Sequence, residues 1–302
     1  MRCQRGHSAW LVLGLLLLAG CDSNDTRFVA YLDDLTVTGG STALNPGFDP
    51  AITRYSLIAN SPADPITIEP AASSTFTISI NGAPATSGAA VTLDSIEPGD
   101  TVQIVVRSAN QFSAEPTTYE LLYLPADFPE LTVTVREDGV STDPLYINLR
   151  GPNGSYVAIL DNYGVPTFYR YEPFFALDFK WHAETGERSY ARFIGTTNEW
   201  GRQNTERVVL DDNFNEVELI TTVGLSHTDH HDFLIQPNNE ILLLSYDGAL
   251  RDLTAFGLTA AEPVEDSVVQ VLDRNTRQLL FEWRSWDDVP YGDQLYVPPR
   301  LE

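Results

Sequence analysis

Hydrophobic and polar residues alternate with a period of two along most of the chain after residue 26. The segments TRYSLIA at 53–59 and TVQIVVR at 101–107 are examples. Turn-forming Gly, Pro, Asn and Asp residues interrupt the alternation about every ten residues, and no helical period is sustained. The pattern predicts an all-β chain, in which residues 22–125 form a small antiparallel β-sandwich behind a short polar tether.

Residues 126–302 contain two repeated patterns. A strand, an Asp-containing turn and a returning strand recur at 158–170, 208–220 and 269–283. A second hairpin pattern recurs at 177–193 and 231–246. Because the two types alternate, they combine into four-stranded units, and a repeat of roughly 40–50 residues is typical of β-propeller blades. We therefore expect an incomplete β-propeller with about three and a half blades in this region.

Two segments fall outside these patterns. Residues 124–129 read Leu-Pro-Ala-Asp-Phe-Pro, and two prolines around an exposed Asp127 predict a short, fairly stiff linker. Residues 247–266 interrupt the blade repeat and are predicted to be an inserted loop.

The first 21 residues have the features of a secretory signal. Arg2 and Arg5 precede an apolar stretch at 10–18, which is too short to span a membrane as a helix. The stretch ends in Leu-Ala-Gly-Cys, which resembles a bacterial lipobox. That resemblance implies cleavage before Cys21 and a lipid on its thiol, with an ordinary cleaved signal as the alternative. We expect a membrane-anchored lipoprotein of the cell envelope, facing the periplasm or the surface.

The composition limits the possible partners. The chain has 18 basic and 42 acidic residues, a net charge of −24, and such a field repels nucleic acid. A small anionic substrate needs local cations, and these must come from Arg and His because Lys180 is the only lysine. Cys3 and Cys21 are the only cysteines, and both belong to the signal segment, so we expect no disulfide in the mature chain.

One short segment concentrates the candidate chemical groups. His227, His230 and His231 are interleaved with Asp229 and Asp232, directly before an alternating strand. Imidazoles beside carboxylates serve as nucleophiles or bases, ligate metal ions, or have a structural role. The segment has no HExxH-type ligand spacing. A metal-dependent hydrolase that uses His227, His230 and Asp232 stays open beside the nucleophile or base.

Four further side chains bear on the chemistry. Arg251, in the inserted segment, is the local candidate cation, with an exposed loop arginine as the alternative. His182 precedes Gly186 in a turn and is predicted to be structural. Trp283 and Trp286 are predicted to belong to the core of a blade rather than to a shelf for an aromatic substrate.

The first region resembles the bacterial cadherin-like β-sandwich module over nearly its whole length. The resemblance rests on LTV at 35–37, LNPGFDP at 44–50, TRYS at 53–56 and ING at 80–82. It implies that Leu35, Phe48 and Tyr55 are core residues. A domain of this kind spaces, docks or dimerises, so a homodimer is among the expected assemblies.

Calcium is an alternative role for three acidic residues of this region. By analogy with true cadherins, Asp33, Asp34 and Asp49 could be calcium ligands. Scattered turn carboxylates are more simply explained as a solvated surface.

The second region is similar to the arylsulfotransferase family of bacterial propellers. The matching segments are HHDF at 230–233, QPN at 236–238, LLLSY at 242–246, DFK at 178–180 with Gly186, VQVLD at 269–273 and FEWRSWD at 281–287. The resemblance implies transfer of a sulfuryl group from a phenolic sulfate ester to a phenol, through a sulfated histidine and without a nucleotide or other cofactor. Such a group spreads charge over its peripheral oxygens, so cations and hydrogen-bond donors supply most of the catalysis.

The resemblance also assigns roles within the histidine segment. His231 is expected to contact the sulfuryl group rather than to become sulfated. His230 is the alternative, since a strand period of two would place the pair on opposite faces. Asp232 is the acidic neighbour expected to steady the imidazole. A His-Asn and a Ser-Arg segment, which complete the family signature, are expected beyond Glu302.

A function from another class stays open at this stage. A non-catalytic propeller lipoprotein that binds glycans or protein partners would have the same architecture. The strong negative charge favours this alternative, because it opposes anionic substrates.

Overall fold

The computed structural model describes residues 28–61, 64–110, 114–135, 137 and 139–289. The predicted signal segment and the lipidation site at Cys21 lie outside these residues. Within these residues, helix is limited to a 3-10 turn at Thr254–Phe256 and one α-helical turn, α1, at Ser285–Asp288. None of the helices in the described part of the chain is long and apolar enough to cross a membrane. The predicted all-β class is confirmed.

The first domain is a sandwich of two sheets. Its strands are β1 (Asp34–Thr38), β2 (Arg54–Ile58), β3 (Ile66–Ala71), β4 (Phe76–Ile80), β5 (Ala83–Ala85), β6 (Val91–Leu93), β7 (Thr101–Ser108) and β8 (Thr117–Leu124). One sheet has the order β1-β3-β6 and the other the order β2-β8-β7-β4-β5. The predicted sandwich is confirmed.

One strand pair departs from the antiparallel prediction. Strand β2 pairs with β8 in parallel, with Arg54 opposite Glu120 and Ile58 opposite Leu124. The two strands are far apart in the sequence and are not joined by a hairpin. Alternation of polar and apolar residues therefore could not reveal their relative direction.

The core of the sandwich is formed by the inward side chains of both sheets. Leu35 and Tyr55 are buried in it, and Phe48 packs against it with its ring centroid 6.0 Å from that of Tyr55. The prediction that these three residues belong to the core is therefore confirmed. Leu35 and Tyr55 occupy inward positions of the period-two pattern, and Phe48 packs against that core.

The junction between the two regions is packed, and the predicted exposure of Asp127 was wrong. Phe128 is buried in a cluster that joins Ile58 of the sandwich to Leu160 of the next sheet. The Asp127 carboxylate, predicted to be exposed, is half-buried and accepts a hydrogen bond of 2.6 Å from the Tyr156 hydroxyl. The apolar residue between the prolines holds this segment in a shared core.

Three further sheets follow the junction. Their strands are β9 (Leu145–Arg150), β10 (Ser155–Leu160), β11 (Pro166–Glu172), β12 (Ala176–His182), β13 (Glu187–Thr197), β14 (Gln203–Leu210), β15 (Glu216–Ile220), β16 (Phe233–Ile235), β17 (Glu240–Arg251), β18 (Glu262–Asp273) and β19 (Leu279–Arg284). Strands β9 to β11, β12 to β15 and β16 to β19 each form one sheet in chain order. This antiparallel meander is the strand order of propeller blades. The second region is therefore an open series of blade-like sheets, as expected for an incomplete propeller.

The two repeated sequence patterns are the two hairpin types of these sheets. The first pattern forms β10-β11, β14-β15 and β18-β19, and the second forms β12-β13 and β16-β17. Residues 247–266 were predicted to be an inserted loop, but they mainly lengthen the β17-β18 hairpin, with Arg251 paired to Glu262. Because both β17 and β18 are lengthened, their residues stay paired in register. The hairpin repeat is therefore not interrupted.

The turn aspartates explain why the first pattern recurs. Asp161 Oδ1 accepts the backbone N–H groups of Tyr163 and Val165, each at 3.0 Å. Asp211 and Asp273 each accept backbone N–H groups of their own turns in the same way. A carboxylate that bonds the backbone two to four residues later fixes the turn, and this is the ordinary reason for Asp at such positions.

Candidate functional site

The histidine segment is an irregular connection between β15 and β16 that buried hydroxyl groups hold in place. The backbone carbonyl of His227 accepts hydrogen bonds from the Thr222 and Ser245 hydroxyls at 2.7 and 2.6 Å. The Thr205 hydroxyl donates to the carbonyl of Thr228. Because β15 and β16 belong to neighbouring sheets, the segment that links them lies between the two sheets.

A single buried guanidinium fixes both ends of the histidine pair. Arg207, on β14, is 0% exposed, and its Nη2 donates to the carbonyls of Asp229 and Asp232 at 3.0 and 2.7 Å. Its Nη1 donates to the carboxylate of Asp178 at 2.7 Å. Residues 230 and 231 therefore lie in a loop whose two flanking carbonyls are bound to one side chain of the neighbouring sheet.

Lys180 completes a ring of charges behind this loop. Its ammonium is 2.9 Å from Asp178 and also pairs with the carboxylate of Asp232. Burial acts to raise the pKa of Asp232, but the hydrogen bond from Lys180 and the backbone N–H of Phe233 outweigh it and the pKa lies below its ordinary value. The carboxylate of Asp232 thus faces Lys180, and it makes no hydrogen bond to the imidazoles it was predicted to steady.

Asp229 is the carboxylate that the imidazoles share. It is 1% exposed, and His231 Nδ1 lies 2.9 Å from its Oδ2 and 3.0 Å from its Oδ1. His230 Nδ1 is 3.7 Å from Oδ1. Burial acts to raise the pKa of Asp229, but the backbone and ring hydrogen bonds from His231 and the neighbouring imidazoles bring the pKa below its ordinary value. A buried, ionised carboxylate therefore orients the His231 ring by hydrogen bonds and lies close to the His230 ring without bonding it.

The two imidazoles lie against each other, and the prediction of opposite faces was wrong. Their ring centroids are 4.1 Å apart. Strand β16 begins only at Phe233, so the period of two does not apply to 230 and 231. The side chain of His231 is 63% exposed and that of His230 is 25% exposed. Burial is the main cause that lowers the pKa of His230, which favours its neutral form.

Both imidazoles line a cavity of about 400 Å³. Its apolar wall includes Phe175, Leu177 and Phe193, and the Phe193 ring centroid is 5.0 Å from that of His230. Its charged wall includes Arg202, whose guanidinium lies over the Tyr246 ring at 5.1 Å. The cavity therefore offers aromatic surface on one side and a cation on the other.

A second cavity of about 410 Å³ adjoins the first and shares Phe175, Phe193 and Gln203 with it. The guanidinium of Arg150 lies 4.3 Å from the centroid of the Phe175 ring. The exposed ring of Phe174 also lines this second cavity. The two cavities therefore form one aromatic groove, with Arg202 in the wall of the first cavity and Arg150 in the wall of the second.

Arg251 does not line the histidine cavity. It is at the end of β17, where its guanidinium lies 5.0 Å from the ring centroid of Trp286. Among the described residues, Arg202 is the arginine that lines the cavity beside the imidazoles. Arg202 is itself paired with Glu265, so its charge is shared with a carboxylate.

The other two described histidines are bound within the structure. His182 Nε2 is 2.7 Å from the Ser189 hydroxyl, Nδ1 accepts the Ile235 N–H at 3.4 Å, and burial lowers its pKa to about 4. His227 Nδ1 accepts the Tyr246 N–H at 3.4 Å, and burial is the main cause that lowers its pKa. The structure thus places His182 in the structural role that its turn position predicted.

The arrangement also shows which residues could hold a metal ion. Within the described part of the chain, one group of His, Cys, Asp or Glu residues has ligand atoms close enough to share an ion, and it consists of Asp229, His230 and His231. The metal set predicted from sequence differs, because Asp232 and His227 bind other partners. Of the three carboxylates offered as calcium ligands, those of Asp34 and Asp49 accept the backbone N–H groups of Leu35 and Ala51.

Two site residues were missed by the sequence analysis, and the role of a third was not recognised. Asp229 was noted beside the histidines, but its role as the shared partner depends on the loop conformation. Arg207 and Arg202 lie on or next to β14, far from the histidines in sequence, and no local pattern marks them. Trp283 and Trp286, predicted to be blade core, are only half-buried.

Comparisons with known proteins bear on the first region. A family model described as the cadherin-like beta sandwich domain matches residues 32–124, the span of strands β1 to β8. No curated protein matches the chain in a sequence search. The arylsulfotransferase resemblance of the second region stays a prediction. Residues 32–124 are a cadherin-like β-sandwich domain.

Proposed function

We propose that the chain transfers a sulfuryl group from a phenolic sulfate ester to a phenol, without a nucleotide donor, at the cavity of His230 and His231. The observation that carries the proposal is the pairing of His231 with the buried carboxylate of Asp229 in the wall of the aromatic groove. The resemblance of the second region to arylsulfotransferases supplies the reaction class.

The geometry favours an attacking role for His231. A neutral imidazole that donates Nδ1–H to a carboxylate carries its lone pair on Nε2, and the carboxylate stabilises the charge that develops when Nε2 attacks. Asp229 accepts at 2.9 Å and is ionised. The resemblance implied only a contact between His231 and the sulfuryl group, and the Asp229 partner supports the more direct role.

The step balances with groups at the cavity. His231 Nε2 forms a bond to sulfur while the ester S–O bond breaks and the first phenol leaves as its phenolate. The acceptor phenol then attacks sulfur, the N–S bond breaks, and the phenolic proton goes to a base, for which the neutral His230 is the nearest candidate. Arg202 offsets the charge on the peripheral oxygens, and the rings of Phe175 and Phe193 pack against the aryl groups.

The predicted location agrees with such a reaction. We propose that the lipid on Cys21 anchors the chain to a membrane of the cell envelope, with the cadherin-like domain between the anchor and the blade sheets. A donor that is itself a small ester removes the need for a nucleotide in this compartment.

The test is a transfer assay with the full chain. 4-Nitrophenyl sulfate and phenol are supplied, and release of nitrophenolate and formation of phenyl sulfate are followed with EDTA present. We expect His231→Ala and Asp229→Asn each to lower the rate by at least about 100-fold. Asp212→Asn, at an exposed turn outside the groove, is the matched control and keeps the rate. An inactive wild-type chain, or an unchanged rate in His231→Ala, contradicts the proposal.

Binding without chemistry is the second candidate function. The observation that favours it is the exposure of Phe174 and Trp181, which are 49% and 50% exposed, because exposed rings stack on sugars and on protein partners. A ligand found in a glycan or protein binding screen, together with a silent sulfate-ester assay, would select this candidate.

A further inference from the structure

We infer that Asp229, His230 and His231 bind one divalent transition-metal ion, with Zn²⁺ as the representative case. The three ligand atoms lie within 4.8 Å of one another. The inference is independent of sulfuryl transfer, because it rests on the distances among the three side chains and not on a reaction.

The distances match a coordination shell. Asp229 Oδ1 lies 3.0 Å from His231 Nδ1 and 3.7 Å from His230 Nδ1. For bonds of about 2.0–2.2 Å to the metal, neighbouring ligand atoms are roughly 3.0 Å apart in an octahedron and roughly 3.4 Å apart in a tetrahedron. The His231 spacing equals the octahedral value and the His230 spacing is slightly longer than the tetrahedral one, so a small rotation of the His230 ring would bring its nitrogen into the shell.

The second observation is a nitrogen without a partner. His230 Nδ1 is buried and makes no hydrogen bond to any described residue. A buried polar atom of this kind is costly unless something satisfies it. A cation between Nδ1 and the carboxylate of Asp229 would do so, and the exposed ring of His231 leaves the remaining coordination positions open to the cavity.

The surroundings permit a positive ion. The two nearest guanidiniums are each paired with a carboxylate, Arg207 with Asp178 and Arg202 with Glu265. The chain as a whole has a net charge of −24, which attracts cations. Because Arg207 binds the carbonyls of Asp229 and Asp232, the loop is ordered before the metal arrives, and less conformational entropy is lost on binding.

The ligand types select the class of metal. Two imidazoles and one carboxylate suit Zn²⁺, Fe²⁺, Ni²⁺ and related ions, and three protein ligands with open positions are typical of exchangeable or catalytic sites. Ca²⁺ and Mg²⁺ prefer shells made of oxygen atoms. We therefore expect no comparable binding of these two ions at this site.

The ion and the proposed transfer compete for one side chain. A metal on His231 Nδ1 leaves the ring proton on Nε2, so Nε2 has no lone pair with which to attack sulfur. If both proposals hold, Zn²⁺ inhibits transfer and EDTA restores it.

The test is a calorimetric titration of the full chain, purified without a polyhistidine tag, stripped with EDTA and dialysed. ZnCl₂ is expected to bind with one ion per chain, and CaCl₂ to give no comparable signal. His230→Ala and His231→Ala are each expected to weaken Zn²⁺ binding by at least roughly tenfold, whereas Asp212→Asn retains it. Co²⁺ should give the visible absorption of a nitrogen- and oxygen-ligated ion in the wild type and lose it in both histidine variants.

Circular dichroism and thermal unfolding of each variant separate a lost ligand from a lost fold. Absence of Zn²⁺ binding in the wild type overturns the inference, as does unchanged binding in both histidine variants. Binding is measured without substrate and transfer is measured with EDTA, so either proposal can fail while the other stands. Stoichiometric Zn²⁺ without any transfer would support this site and contradict the proposed function.

Discussion

The cadherin-like domain and the blade sheets bury different kinds of side chain. Among the described residues of the sandwich, Ser56 is the buried polar side chain apart from the tyrosines, whose rings belong to the core. The blade sheets bury a charged Arg207 and Asp229, a histidine at 182 and several hydroxyl groups. The sandwich is therefore held mainly by apolar packing, and the blade sheets combine packing with polar networks.

The difference is related to function. Apolar burial is non-directional and tolerates substitutions that preserve volume. A buried polar network has one arrangement that satisfies all its groups, so it costs stability when incomplete but fixes specific atoms in space. The loop that carries His230 and His231 is positioned by such a network, and it is in the blade sheets that chemistry is expected.

The largest loss of stability is expected when the buried guanidinium of Arg207, which binds the histidine loop, is removed. Arg207→Met leaves the carboxylate of Asp178 and the carbonyls of Asp229 and Asp232 without their donor, so we expect a loss of about 3–5 kcal/mol in the free energy of unfolding. Urea denaturation of the variant measures this loss. Arg207→Lys keeps the charge but not the double contact and should be intermediate.

A double variant shows whether unpaired charge causes that loss. Asp178→Asn with Arg207→Met removes both members of the ion pair, and Asn tolerates the positive φ of 54° at this position. We expect it to be more stable than Arg207→Met alone. If the double variant is no more stable than Arg207→Met, the loss in the free energy of unfolding comes from packing and not from unpaired charge. The contrast with the sandwich would then disappear.

The junction tests whether the two regions fold as one unit. Phe128 packs on Tyr156 with ring centroids 4.9 Å apart, so Phe128→Ala should cost about 3–5 kcal/mol. Calorimetry should then resolve two unfolding transitions where the wild type shows closer coupling. Phe28→Ala, at a ring that is 78% exposed, is the control and should stay within about 0.5 kcal/mol. If Phe128→Ala also stayed within about 0.5 kcal/mol, the junction would be a linker that does not couple the two regions.

A pH dependence of stability between about pH 6.5 and pH 4 is expected from a buried histidine of the blade sheets. His182 has its pKa lowered from 6.5 to about 4 by burial. The unfolded chain therefore takes up a proton first, and stability is lost as the pH falls from about 6.5 to about 4. One such group contributes about 3 kcal/mol over this window.

Denaturation of the wild type and of His182→Gln across the window measures this contribution. The variant should have the flatter profile, because it lacks the titrating group. Equal slopes in the two proteins would show that His182 does not titrate as its burial requires.

The smallest loss of stability is expected when the hydroxyl of Tyr119 in the sandwich is removed. Tyr119 donates to the carbonyl of Pro50 at 3.0 Å and accepts the N–H of Leu32 at 3.1 Å. Tyr119→Phe removes both bonds and keeps the ring, so we expect a loss of about 1–2 kcal/mol by urea denaturation. A loss as large as that of Arg207→Met would mean that the sandwich depends on polar contacts as strongly as the blade sheets do.

The sequence by itself determined most of the fold. Alternation with a period of two predicted the strands, because a sheet with one buried face requires it. The turn residues Asp161, Asp211 and Asp273 marked one hairpin type, because each carboxylate bonds the backbone of its own turn. These are local effects, and they can be recognised in a window of about ten residues.

Only the tertiary structure decided how the site is built. The parallel pairing of β2 with β8, the burial of Phe128 and the contact of Arg207 with the histidine loop all join segments that are distant in the chain. Asp229 rather than Asp232 became the partner of the imidazoles because the loop ends at Phe233, where strand periodicity begins. A side chain's partner depends on where the backbone places both groups, and no local pattern encodes that.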